Sequence, residues 1–96
     1  MIAEVITGLE AIARVAKNAA NPAETVRAIQ SVRDLVQSLK TTEATEIKKS
    51  LSQLDSELST WQSKLDVILK ESVGRQGIAK HAHYWVERLE QLKTQN

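Results

Sequence analysis

The segment from Ile47 to Ile68 reads IKKSLSQLDSELSTWQSKLDVI, and in it Ile47, Leu51, Leu54, Leu58, Trp61, Leu65 and Ile68 recur at spacings of four and three residues. Side chains so spaced share one face of an α-helix, and a strict heptad makes a narrow apolar stripe that other helices have to cover. Leu51, Leu58 and Leu65 take a positions and Ile47, Leu54, Trp61 and Ile68 take d positions. A parallel pair would then set Ser50 against Asp55, Glu57 against Gln62 and Lys64 against Leu69, none of them an ion pair. An antiparallel pair centred near Leu58 and Trp61 sets Glu57 against Lys64 twice over, so a coiled-coil homodimer through this stripe would be antiparallel. The same stripe serves equally as the core seam of a bundle, covered by the rest of its own chain.

Toward the N-terminus, Lys40-Thr41-Thr42 is a short connector in which either threonine can cap the next helix, with Glu43 and Glu46 well placed in its first turn. So short a link predicts an antiparallel hairpin, one unbroken helix through the threonines being the alternative. Val26, Ile29, Val32, Val36 and Leu39 form the stripe of the helix before it, from Pro22 to about Leu39. Its start is punctuated by Asn21-Pro22-Ala23-Glu24: an N-cap asparagine, a proline at the first helical position and a glutamate that can close a capping box. The first helix, residues 2–20, carries Ile2, Val5, Ile6, Leu9, Ile12, Ala13, Ala16 and Ala19 on one face. Gly8 weakens it by up to about 1 kcal/mol relative to alanine unless the bare backbone lets another helix come close.

Toward the C-terminus, the seam helix is expected to run over residues 43–72. Some 30 helical residues span roughly 45 Å, whereas a compact chain of this size has a radius of gyration near 13 Å. The spacing therefore points to an elongated bundle or to a seam that reaches a second molecule. Val73-Gly74-Arg75-Gln76-Gly77 breaks the pattern, with Gly74 where a C′ glycine would stand. The next apolar series, Ile78, Ala82, Trp85, Leu89 and Leu92, falls out of register with the first, so a fourth helix is expected over residues 78–93, ending in a fraying tail, Thr94-Gln95-Asn96. The predicted fold is thus all-α: a single helical domain over residues 1–96, a three- or four-helix elongated bundle built on an antiparallel hairpin with a long coiled-coil-like third helix.

Composition agrees. The 96 residues are 42% hydrophobic and almost wholly aliphatic, with no Phe, one Tyr, two Trp, three Gly and one Pro, which suits helices and not a β-fold. The absence of cysteine removes disulfides and thiolate metal sites, and leaves the cytoplasm as the default compartment. Glu4 and Glu10 interrupt the apolar N-terminus, which has no basic lead and no cleavage motif, and no uncharged run approaches the ~18 residues of a membrane span. Thirteen basic and twelve acidic side chains give a net charge of +1, so attraction to nucleic acid or membrane would have to come from a local patch.

Few residues suggest chemistry. Trp61 and Trp85 lie on apolar stripes and read first as core; the functional alternative is a partner-binding anchor, for which Trp85, with Tyr84 and His81 beside it, is the better placed. His81 and His83 are two apart, so they point about 200° away from each other on a helix and cannot share an ion. Arg75, Lys80, His81, His83 and Tyr84 make the one local basic and aromatic cluster, at the start of a helix where an anion could sit. Arg27, Arg33 and Lys40 alternate with Glu24 and Asp34 as on a solvated face. There is no phosphate-cradling loop, since Gly74-Arg75-Gln76-Gly77 lacks the lysine and spacing of one, and no paired acids in apolar surroundings. The expectation is a non-enzymatic, cofactor-free interaction or regulatory protein. It would self-associate and present the helix face of Arg75, Lys80, His81, His83, Tyr84 and Trp85 to a larger protein, with nucleic-acid binding by the same cluster as the alternative.

Overall fold

The reversal after residue 63 sets the architecture. In the computed structural model, which describes residues 2–18, 22–41 and 45–95, the chain forms α1 (Ile2–Ala16), α2 (Pro22–Leu39), α3 (Thr45–Ser63), α4 (Leu65–Ile68) and α5 (Ser72–Gln95). The all-α expectation holds, and α2 and α3 do form an antiparallel hairpin. Their pairing runs from Gln37 and Arg33 on Asp55 to Gln30 on Gln62, rising along one helix as it falls along the other. In the same way Glu57 meets Trp85 and Trp61 meets His81, so α5 runs antiparallel to α3. The helix α1 packs between α2 and α5. The four long helices therefore run up, down, up and down, in a body of 38 × 20 × 17 Å.

The long third helix expected from the heptad spacing does not form. Lys64 leaves helical geometry at φ −118° and ψ 15°, and its amide bonds back to the Trp61 carbonyl. The break is local: beyond it α4 still lies beside α2 and α5, with Ile68 against Gly74 as Trp61 is against His81. In that stretch Leu65 and the adjoining Leu69 are buried. The seam is satisfied within the chain: Ile47, Leu51, Leu54, Leu58 and Leu65 are buried, while Trp61 and Ile68 pack at the margin of the same core. With its spine shortened, the molecule has a radius of gyration of 12.9 Å, the value expected of a compact chain. A single molecule holds the seam in an elongated body, the first of the two alternatives that helix length offered.

Two boundaries also move. The first helix ends at Ala16, not Ala20; Ala19, Ala20 and the capping residue Asn21 lie outside the described residues, as do the caps expected at Thr42 and Glu43. The last helix begins at Ser72, not Ile78, and continues through Thr94, so Gly74 and Gly77 are inside it, neither with positive φ. The change of register comes from the turn at residues 69–71. Gly74 is required for another reason, because a Cβ there would overlap the Ile68 carbonyl of α4. Close approach also explains Gly8, where an added Cβ would come within 2.6 Å of a Val32 methyl on α2. On the opposite side of α1, the small Ala13, Ala79 and Ala82 let α5 come near.

Polar groups hold α2 to α3. The Arg33 Nε donates to Asp55 at 3.0 Å and a second guanidinium nitrogen donates to Gln62 at 2.8 Å. Arg33, read from sequence as part of a solvated face, is instead a bridge between helices.

The glycines of α5 give opposed expectations. Gly74→Ala should destabilise the protein by about 1–3 kcal/mol, because backbone would have to move. Gly77→Ala, where a Cβ meets nothing within 4 Å, should stabilise it by up to about 1 kcal/mol through helix propensity. Urea denaturation of the two variants checks both signs.

Candidate interaction face

Helix α5 presents different residues to different surroundings, since successive side chains turn by about 100°. Trp85 faces inward and is fully buried. Its role as a partner anchor is therefore corrected: the ring is core, and its indole N–H donates to Glu57 Oε1 at 3.2 Å. One turn earlier, His81 faces α3. Its Nε2 lies 3.5 Å from the same Glu57 oxygen, and its ring meets Trp61 edge-on at a centroid distance of 5.8 Å. Tyr84, 52% exposed, leans on both His81 and Trp85. Arg88 completes the row, with its guanidinium 4.9 Å from the Trp85 ring centroid and a 3.3 Å hydrogen bond to the Tyr84 hydroxyl.

This row of rings and cations, Trp61–His81–Tyr84–Arg88, crosses the junction of α3 and α5. The sequence cluster it replaces is split around the helix. Arg75 turns back to the reversal, donating to the Leu69 carbonyl at 2.8 Å. His83 and Lys80 are exposed, and His83 lies two residues from His81 and so on another side of the helix. The structure thus gathers His81 and Tyr84, leaves Lys80 at the edge, and separates Arg75 and His83.

Above His81 the two helices diverge and leave a shallow depression of about 270 Å³, lined by Trp61, Ile68, Gly74, Gly77, Ile78 and His81. Its walls are mainly apolar, and Gly77 leaves open space where a side chain would stand. From sequence, Trp61 ranks as an anchor only behind Trp85, and Gly77 reads as part of the break in the pattern. Trp61 fitted the heptad and was absorbed into it, and Gly77 looked like helix punctuation. The available signal was a large aromatic at the last heptad position before the helix bends.

Among the described residues there is no group of three or more His, Cys, Asp or Glu able to hold a metal ion, and no helix is long and apolar enough to cross a membrane. Compared with family models, curated proteins and solved structures, the chain matches none.

Glu57 is the link between core and face, and its substitutions separate two roles. Glu57→Ala leaves the buried indole N–H unpaired and should cost about 1–3 kcal/mol. Glu57→Gln keeps an acceptor for it and should cost under about 1 kcal/mol, both read by urea denaturation monitored through tryptophan fluorescence.

Proposed function

We propose that this chain is a non-enzymatic interaction protein, regulatory in effect, that presents the α3–α5 face to a protein partner. One observation carries the reading: a mainly apolar depression, with half-buried Trp61 as one wall and the vacant Gly77 position open to it, sits beside the exposed Tyr84. Apolar and aromatic side chains around a concavity are what protein interfaces use as anchors. A mid-helix glycine with free space above it costs about 1 kcal/mol of helix stability; entry of a partner's side chain gives that space a use.

Self-association through the seam has lost its motive, because the apolar stripe that suggested it is covered inside the chain. Light scattering at about 100 μM should return the 10.7 kDa monomer. The nucleic-acid alternative requires Arg75, Lys80, His81, His83 and Tyr84 on one face, and α5 turns them apart.

The partner test uses a photo-crosslinker at Tyr84 and, as control, at the exposed Ser31 of α2. Adducts specific to Tyr84 should disappear in Gly77→Leu, which fills the depression without meeting neighbouring atoms at its Cβ. Identical adducts from both positions, or adducts indifferent to Gly77→Leu, would refute the reading.

A further inference from the structure

The net charge of +1 conceals a lengthwise separation. Gln30 against Gln62 and Trp61 against His81 mark one layer across the bundle. Beyond that layer, toward α4, residues 12–18, 22–29 and 63–80 hold seven Lys or Arg and three Asp or Glu; the remaining described residues hold six and eight. Among the described residues, three of the four exposed large apolar side chains belong to the same end: Val26 at 37%, Val67 at 70% and Val73 at 79% exposure. Val67 and Val73 flank the α4–α5 turn, with Lys70 and Glu71 between them. Beside them a depression of about 440 Å³ is lined, among the described residues, by Lys17, Ser72, Arg75 and Gln76, two of them cations.

We propose that this basic, valine-studded end docks the bundle on an anionic lipid surface, with its long axis rising from the membrane. The charge chemistry selects an anionic partner, and the other end does not cancel it: the bundle is 38 Å long, whereas charges are screened beyond about 8 Å at physiological ionic strength. The valines select lipid over nucleic acid, because aliphatic side chains beside lysines insert among headgroups and gain nothing from a phosphodiester backbone. Size selects lipid over a folded acidic protein. The whole bundle is only 20 × 17 Å across between backbone positions, so one pole is a narrow platform for a stable protein interface, which takes about 800 Å² of accessible surface from each partner. A lipid surface needs no such area, since each basic residue near it strengthens attachment by about fivefold.

The test is co-sedimentation of the full chain with phosphatidylcholine vesicles, with and without about 30% phosphatidylserine, near 0.1 M salt. Binding should require the anionic lipid and weaken as salt rises. Lys17→Gln with Lys70→Gln should reduce it about 25-fold, and Val67→Ser with Val73→Ser about tenfold. Lys48→Gln with Lys93→Gln, at the other end, should leave it unchanged. All six positions are exposed, so circular dichroism should show the fold intact in each variant. Equal binding to both vesicle types, or an equal loss from the Lys48 and Lys93 pair, would overturn the proposal. So would salt-sensitive binding to single-stranded DNA that ignores the valine changes while vesicles stay unbound. Gly77→Leu should still bind vesicles, so failure of the partner-face reading and failure of this one are separately visible.

Discussion

The bundle depends on one backbone contact, the Ile68 carbonyl of α4 lying against Gly74 of α5. Only a residue without a side chain admits it. It allows the chain to turn back within residues 69–71 and bring α5 antiparallel to α3. Leu65 and Leu69, on either side of Ile68 in the chain, are both buried there. Arg75 steadies the same reversal by donating to the Leu69 carbonyl, one of the acceptors that a helix end leaves free. A glycine and an arginine that look in sequence like a flexible break are together the device that makes the molecule compact.

With the reversal in place, the remaining registers come from packing and a few polar ties. Helix α1 is held between α2 and α5 through its bare or small positions, Gly8 toward α2 and Ala13 toward α5. Arg33, Asp55, Gln30 and Gln62 align α2 with α3. Such partly exposed polar contacts add modestly to stability, but a slip by one helical turn would break all of them together. Glu57 ties α3 to α5, accepting from Trp85 inside and facing His81 outside. The same carboxylate thus anchors the core and orders the row of rings at the surface.

The fold offers two distinct surfaces. The α3–α5 face is concave and aromatic; the α4 end is basic and aliphatic. Antiparallel packing creates both. It sets Trp61 beside His81, 20 residues away, and it collects cations from the end of α1, the start of α2 and the start of α5 at one pole. An evenly balanced composition hides such a pole, because net charge records how many charges there are and not where the helices carry them.

The sequence by itself determined that the chain is helical, where α2 starts and ends, that α2 and α3 form a hairpin, and which seam residues are apolar enough to be covered. Those features arise from periodicity, proline and connector length, all local in the chain. Tertiary structure decided the rest. It ended α3 at Ser63, where Lys64 leaves helical geometry, a local break that apolar periodicity does not record. It placed Gly74 and Gly77 inside a helix, because their meaning is set by what lies opposite: a carbonyl for one, open space for the other. It buried Trp85, exposed the edge of Trp61 and left an excess of basic over acidic residues at one end, since which face of a helix meets solvent depends on the neighbours that the fold supplies.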